Sequence, residues 1–234
     1  MIEWIFPVRC PICNQIVVPK GAMFHKDCIV KLEFVAEPFC KKCGVPLVSE
    51  EQEYCEECIL KDRGWDCGRS VFYYCGTVQR ALHKVKQEGT REFVYFFALQ
   101  MKKTQKDYIQ EVVPDCLVPV PLHPSKFRSR GFNQAELLAR AFGKEIQLPV
   151  RLLLKKKQKT KDQKNLNRRE RKKNVKHVFC IDMEEIKKGI PKSVLLIDDV
   201  STTGSTLTEC AKVLKKQGIQ KVAFLSVCTG KQLG

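Results

Sequence analysis

The chain has 234 residues, 44% of them hydrophobic, and a formal net charge of +16 at pH 7. These values exclude a disordered or fibrous protein and allow one domain with a small module, or two compact domains. A positive charge of this size favours polyanionic partners: nucleic acid, an anionic membrane surface or a phosphorylated small molecule.

The N-terminal residues, MIEWIFPVRCPIC, contain no basic region followed by an apolar run, which argues against a secretory signal peptide. The longest apolar stretch, from Phe93 to Met101, is far shorter than the roughly 18–20 residues that a membrane span needs. We therefore expect a cytoplasmic protein without a membrane span. In that compartment the 13 cysteines are not expected to form disulfides.

The first 68 residues contain eight of the cysteines, most of them at short, regular spacings. Four metal-type pairs stand out: Cys10 and Cys13, His25 and Cys28, Cys40 and Cys43, Cys55 and Cys58. Two residues at this spacing reach one tetrahedral ion from a tight turn, and two such pairs complete its shell. The pattern predicts a double zinc-ribbon module over 1–68 with two structural zinc ions. Gly44 follows the third pair, where the turn needs a residue that tolerates positive φ.

Buried free cysteines or redox-active pairs are the alternatives to zinc. They are disfavoured because this segment has too few apolar residues for a core of its own, and metal binding supplies the missing folding energy. One ion is predicted to take three cysteines and His25, and the other four cysteines. His25 is the least distinctive of these ligands, because a surface histidine next to a lysine is common.

Residues 69–234 alternate short β-like runs with amphipathic helical patterns, which is typical of a mostly parallel α/β sheet flanked by helices. Strands are predicted at 71–75, 116–121, 150–154, 193–197 and 223–227. Helices are predicted at 77–87, 91–102 and 133–146, and in a fourth segment that contains Leu207 and ends at Gly218.

The segment VLLIDDVSTTGST at 194–206 combines three features. An unbroken apolar run predicts a strand buried on both faces, and Asp198 and Asp199 follow it at the edge where α/β sheets place their ligands. Hydroxyl side chains and a glycine then open a helix, where backbone N–H groups cradle a phosphate: Ser201, Thr202, Thr203, Gly204, Ser205 and Thr206. The pair of aspartates alone is typical of a strand end or a helix cap, and the hydroxyl-rich segment alone is typical of a helix cap. Together, after a buried strand, they indicate a phosphate-binding site.

This segment resembles the signature of type I phosphoribosyltransferases, which bind phosphoribosyl pyrophosphate (PRPP). The resemblance implies that Asp198 and Asp199 hold the ribose hydroxyls and that Thr202 to Thr206 hold the 5′-phosphate. Magnesium is then expected on the pyrophosphate, because it binds mainly through phosphate oxygens. The fold class implied is a type I phosphoribosyltransferase-like domain preceded by a small zinc-ribbon module.

Further stretches resemble the ComF family of bacterial competence proteins (ComFC-type): KQEG at 86–89, RGFNQ at 130–134, and Gln163, Arg171 and Asn174. The resemblance covers nearly the whole chain. It implies uptake of transforming DNA, together with a DNA-translocating helicase that acts on single strands inside the bacterial cell. His25 departs from the family, which more often has cysteine at this position.

Two groups of basic residues are candidates for phosphate contact. Lys126, Arg128 and Arg130 follow the strand at 117–121 and are predicted on the pyrophosphate side of the site, although a solvated surface is the alternative. Asn133 and Gln134, in the same stretch, are candidates for contact with the ligand, and equally well the cap and start of a helix.

A basic arm over about 151–176 carries 13 lysines and arginines against two acidic residues. Within it lie Arg168, Arg169, Arg171, Lys172 and Lys173. Such an arm closes over PRPP, contacts the DNA backbone through counterion release, or remains a solvated loop. It contains no aromatic residue for base stacking, so sequence readout is not expected.

Three functions are compatible with the sequence. The first is a DNA-uptake protein that binds single-stranded DNA and a PRPP-type ligand. The second is an active phosphoribosyltransferase in nucleotide salvage, for which no acceptor pocket is readable. In the third, the zinc ribbons dock a protein partner and PRPP is a regulatory ligand.

Overall fold

The computed structural model describes residues 7–19, 21–156 and 178–230. Its described strands form a four-stranded parallel sheet and a separate antiparallel pair. The parallel sheet has the order β1-β6-β5-β2, and β3 pairs with β4. The bounds are β1 Cys67–Tyr73, β2 Cys116–Pro119, β3 Leu154–Lys156, β4 Phe179–Ile181, β5 Ser193–Ser201 and β6 Lys221–Thr229.

The helices of the described residues connect and cover these strands. Their bounds are α1 Lys26–Ile29, α2 Glu56–Leu60, α3 Gly76–Glu88, α4 Arg91–Thr104, α5 Lys106–Val112, α6 Pro124–Arg130, α7 Gln134–Ile146, α8 Met183–Lys187 and α9 Ser205–Lys216. None of them is long and apolar enough to cross a membrane.

Side chains of the sheet alternate between two hydrophobic cores, one on each face. On β5, Leu195 and Ile197 face the core formed with α3, α4, α5 and α7. Val194 and Leu196 face the core formed with α9 and the β3–β4 pair. The sheet is therefore covered on both sides, as expected for parallel strands.

The zinc-ribbon segment lies on both sides of the sheet's edge strand, β1. Its residues 33–35 run antiparallel to β1, with Val35 N–H donating to the Val71 carbonyl at 2.9 Å. Before this contact, Phe24 packs edge-on against Phe96 of α4, with ring centroids 5.2 Å apart. After it, Cys43 packs against the opposite core. The segment thus covers the hydrogen-bonding edge that β1 would otherwise expose.

The predicted fold class is confirmed, and most predicted elements are present with shifted ends. The first strand lies at 67–73 instead of 71–75, and the strand of the acidic pair continues past Ile197 to Ser201 because β6 pairs with it as far as Thr229. At 150–154 only Val150 bridges β2, and the strand proper begins at Leu154. The sequence prediction missed α1, α2, α5, α6, α8 and β4.

The division into 1–68 and 69–234 stays a prediction. Arg151 to Lys156, the start of the predicted basic arm, belong to the folded region, where Leu153 and Leu154 are buried. The remainder of the arm, 157–176, lies outside the described residues.

Candidate functional site

Two adjacent carboxylates lie near the C-terminal end of β5. Both side chains are buried, Asp198 with 9% and Asp199 with 7% of its surface exposed, although carboxylates normally lie at the protein surface. The Asp199 N–H donates to Asp198 Oδ1 at 2.9 Å. Burial, reinforced by the neighbouring Asp199, raises the pKa of Asp198 well above its ordinary value.

Lys86, at the end of α3, reaches this acidic pair. Its Nζ lies 2.5 Å from Asp199 Oδ2. Helix α3 is capped at its C-terminus by Gly89, which has φ of +64°. Phe132 packs against this turn, and a Cβ on Gly89 would lie only 3.0 Å from the Phe132 ring. Two short motifs, KQEG and RGFNQ, therefore meet in space and place a cation beside the acidic pair.

The predicted phosphate loop, residues 202–206, follows β5 directly. Ser201 ends the strand and is buried, whereas Thr202, Thr203, Ser205 and Thr206 are exposed at the sheet edge. Gly204 caps α9 with φ of +65°, and Thr203 Oγ1 lies 2.7 Å from Ser205 Oγ. Exposed amides and hydroxyls at the start of a twelve-residue helix are the arrangement that binds a phosphate.

Helix α6 carries the basic residues predicted on the pyrophosphate side. It follows β2, whose Pro119 pairs with Ile197, so α6 starts at the same sheet edge as the acidic pair. Lys126 and Arg128 are exposed, and Arg130 donates to Gln134 Oε1. Their contact with a ligand stays a prediction.

Asn133 caps a helix, which confirms one of its two interpretations. Its Oδ1 accepts from Ala135 N–H at 3.1 Å, and its Nδ2 donates to the Val120 carbonyl at 3.0 Å. Gln134 is the first residue of α7. Asn133 therefore fixes the chain between β2 and α7.

The predicted metal ligands form two clusters. Cys10, Cys13, His25 and Cys28 form one, Cys40, Cys43, Cys55 and Cys58 form the other, and in each the ligand atoms lie within 4.8 Å of one another. A tetrahedral ion with Zn–S bonds of about 2.3 Å requires sulfur atoms about 3.8 Å apart. Cys43 Sγ and Cys55 Sγ are 3.7 Å apart. The two clusters are therefore compatible with two structural zinc ions. Gly44 has the positive φ predicted for the turn after Cys43, +69°.

His25 is oriented as a metal ligand in the first cluster. Its Nδ1 lies 3.3 Å from Cys13 Sγ, and its Nε2 lies 3.1 Å from the Ile16 carbonyl oxygen. An Nε2–H donated to that carbonyl leaves Nδ1 unprotonated and directed at the metal position.

The basic residues predicted within the arm, namely Arg168, Arg169, Arg171, Lys172 and Lys173, lie outside the described residues.

Comparison with known proteins identifies a family for the cysteine-rich N-terminal part of the chain and another for the part that contains the acidic pair. Residues 1–59 match the family model of the double zinc ribbon domain, and residues 128–233 match that of the phosphoribosyl transferase domain. Competence protein ComFC of Streptococcus pneumoniae is 32% identical over 209 residues, which cover 86% of this chain and 85% of the relative. The chain belongs to the ComFC family.

Two other relatives of this ComFC-family chain carry related names. Competence protein F of Haemophilus influenzae is 28% identical over 191 residues, covering 79% of this chain and 82% of that protein. The DNA utilization protein YhgH of Salmonella typhimurium is 28% identical over 200 residues, covering 81% and 83%. A phosphoribosyltransferase domain behind a double zinc ribbon is thus shared with competence and DNA-utilization proteins.

Sequence reasoning missed three residues that contact the site of this ComFC-family chain. Lys86 carried a signal, because it lies in the family motif KQEG, but no partner for it was predicted. Arg63 and Trp65 carried none, because they follow the last cysteine pair in a segment without periodicity. Both contact the phosphate loop from the zinc-ribbon side.

Proposed function

We propose that this protein handles incoming single-stranded DNA in the bacterial cytoplasm and that a PRPP-type ligand, bound at the acidic pair and phosphate loop, regulates this task. The observation that carries the proposal is an intact acidic pair and phosphate loop in a chain with net charge +16. The names of the relatives, competence and DNA utilization proteins, support DNA as the partner.

The ligand site supplies a role for each group. Asp198 and Asp199 accept hydrogen bonds from the ribose hydroxyls, and the amides and hydroxyls of Thr202 to Thr206 bind the 5′-phosphate. Lys126, Arg128 and Arg130 meet the pyrophosphate, where magnesium, when bound, neutralises phosphate charge. Two buried carboxylates with Lys86 as countercharge are costly to fold unless they bind a ligand, which supports a binding role.

The DNA contact is proposed to be electrostatic. Single strands are attracted by the excess of lysine and arginine. In the segment from Arg168 to Lys173, five of the six side chains are cationic. The family resemblance points to a DNA-translocating helicase as the protein partner.

Fluorescence anisotropy of a labelled single-stranded oligonucleotide, measured across a salt series with and without PRPP–Mg²⁺, tests this function. If about six phosphates are neutralised, log K falls with log salt at a slope near −4. We expect PRPP to change the affinity. No binding at moderate salt would remove DNA from the proposal.

Replacing the acidic pair tests the ligand site. We expect Asp198→Asn with Asp199→Asn to abolish PRPP binding in calorimetric titration and to leave the fold intact, because the ribose hydroxyls lose charged acceptors. The control is Glu50→Gln with Glu51→Gln, which replaces an exposed pair of neighbouring carboxyl groups by amides. Unchanged PRPP affinity in the first variant would contradict the site assignment.

An active phosphoribosyltransferase is the second candidate function. It is favoured by a cavity of about 610 Å³ beside α6, lined by apolar residues such as Leu122, Phe127 and Leu154 and by Asn133. In this reaction an acceptor nucleophile attacks C1 of the ribose as pyrophosphate leaves, with charge developing on the ribose stabilised electrostatically. Release of pyrophosphate in a screen of bases and amines would support turnover, and its absence would favour a ligand-binding role.

A further inference from the structure

A short segment between the second metal cluster and β1 reaches the phosphate loop. Arg63 in this segment is only 9% exposed. Its Nη1 donates to the backbone carbonyl of Thr203 at 2.8 Å, and its Nη2 donates to the carboxylate of Glu57. Glu57 lies in α2, between Cys55 and Cys58. One guanidinium therefore bonds at the same time to the metal-binding turn and to the loop.

Trp65 supports the same loop from the same side. It is 3% exposed and packs edge-on against Phe224 of β6, with ring centroids 5.1 Å apart. A Cβ on Gly204 would lie 2.7 Å from Trp65 Cη2, so the loop backbone rests against the indole ring. The cavity between loop and cluster measures about 240 Å³ and is lined by Cys43, Cys58 and Arg63, among others.

A phosphate loop works only if its N–H groups point toward the ligand and its carbonyls point elsewhere. A carbonyl that points away from the ligand into a buried region requires a donor of its own. Arg63 is that donor for Thr203, immediately before the Gly204 turn and the helix N-terminus. A charged donor fixes the peptide orientation more strongly than a neutral one.

We propose that Arg63 is a positioning residue for the phosphate loop, and that through Glu57 it makes the affinity for PRPP depend on the second metal cluster. The inference rests on the proposed function, because it takes PRPP to bind at this loop. It adds that the second zinc ribbon regulates that site by holding the Thr203 carbonyl.

The alternative is that Arg63 only fastens the ribbon to the rest of the chain. Arg69 provides a matched control, because it also joins the second ribbon to the α/β part. Its Nη1 donates to the Lys41 carbonyl at 3.1 Å, and its guanidinium lies over the rings of Phe39 and Tyr108, at 4.4 and 5.1 Å. None of these Arg69 contacts involves the phosphate loop.

The test is calorimetric titration of the full-length, zinc-loaded protein with PRPP–Mg²⁺. Arg63→Met is expected to weaken binding by about tenfold or more, and Arg63→Lys partially, since lysine keeps the charge but not the two-directional geometry. Arg69→Met is expected to lower the melting temperature while changing the dissociation constant by less than about twofold. Zinc content is measured in every variant, so that metal loss is not mistaken for an effect on the loop.

Hydrogen exchange of the ligand-free protein gives a second readout, and Glu57→Gln provides a milder variant if Arg63→Met fails to fold. The amide of Thr208, which donates to the Gly204 carbonyl at 2.8 Å, should exchange faster in the Arg63 and Glu57 variants than in Arg69→Met. Unchanged PRPP affinity in Arg63→Met with intact zinc would overturn this inference alone. A wild-type protein that does not bind PRPP would overturn the proposed ligand site as well.

Discussion

Asp198 is a carboxylic acid in an environment that favours its neutral, protonated form over the carboxylate. The side chain is almost completely buried at the sheet edge next to a second carboxylate, and its pKa is raised for both reasons, burial being the larger. Below its ordinary pKa the group is protonated in both the folded and the unfolded chain. As pH rises toward the raised pKa, only the unfolded chain releases the proton, so stability falls.

The single substitution Asp198→Asn should therefore stabilise the protein at neutral pH, because it removes the buried charge and keeps a side-chain oxygen for the Asp199 N–H. We expect the melting temperature to increase by about 2–4 °C, equivalent to about 1 kcal/mol for a chain of this size. The difference from wild type should be larger at about pH 8 than at about pH 4. Thermal melts monitored by circular dichroism measure both.

Asp182→Asn is the control of opposite sign. Asp182 forms an ion pair with Lys155, whose Nζ lies 2.8 Å from Asp182 Oδ2. The hydrogen bond from this lysine lowers the pKa of the Asp182 carboxyl group. Its stabilisation is present above its ordinary pKa and is lost as pH falls through the lowered value. Asp182→Asn should thus lower the melting temperature at neutral pH. A lower melting temperature for Asp198→Asn under the same conditions would contradict the assignment of a buried, unfavourable charge.

At the scale of single residues, the sequence identifies chemistry more readily than partners. The acidic pair and the cysteine pairs are recognisable because each lies within a few positions of its neighbours. Lys86 meets Asp199, and Arg63 meets Thr203, a residue 140 positions away. Such contacts depend on how α3, β1 and β5 are packed, which no local pattern encodes.

At the scale of elements, two glycines allow close packing around β1: Gly44 of the second zinc ribbon against the strand, and Gly68 of the strand against β6. A Cβ on Gly44 would lie 2.7 Å from the Gly68 carbonyl oxygen, and a Cβ on Gly68 would collide with the Phe224 ring. This close packing also explains why the start of β1 was not predicted. Gly68 is a poor strand former by composition, but only glycine leaves room for Phe224 at this position.

Gly44→Ala should destabilise the protein in two ways. Alanine is strained at φ of +69°, by about 1–2 kcal/mol, and its Cβ collides with the β1 backbone, which adds to that loss. Chemical denaturation measures the free energy of unfolding. Gly21→Ala is the matched control, because Gly21 has φ of +92° and nothing within 4 Å of an added Cβ. Equal losses for the two variants would show that the contact with β1 contributes nothing.

Helices and strands with strong periodicity were predictable to within a few residues, whereas short elements were not. Helix α6 has no buried residue, and β4 has only three residues, so neither shows a pattern of alternating burial. Both form because of tertiary context. The paired end of β5 has the same origin, since Asp198 to Ser201 extend the strand only because β6 continues alongside.

At the scale of the whole molecule, Arg63 connects the second metal cluster with the loop of the proposed ligand site. If the second cluster supports the phosphate loop, then PRPP must stabilise that cluster in return, because coupling between two sites is reciprocal. We expect PRPP–Mg²⁺ to slow zinc transfer to a chromophoric chelator for one zinc ion and not for the other. The rate constants of the two phases distinguish the two ions, and the distribution of zinc at equilibrium with the chelator measures the coupling free energy.

The variant Arg63→Met is the control for this experiment, since it should abolish the slowing and leave the other phase unchanged. An equal effect of PRPP on both zinc ions would indicate general stabilisation of the fold instead of coupling through the loop.

The order of the strands also bears on how the chain is made. β1 is the first strand of the sheet along the chain, yet its only partner among the described strands is β6, the last. During synthesis from the N-terminus, residues 10–58 emerge early enough to capture both metal ions while the growing polypeptide is still attached to the ribosome. The edge of β1 that pairs with β6 stays open until the chain as far as Thr229 has been made. On the nascent chain the metal-loaded ribbons are therefore available first, with residues 33–35 able to cover the other edge of β1 before β6 emerges.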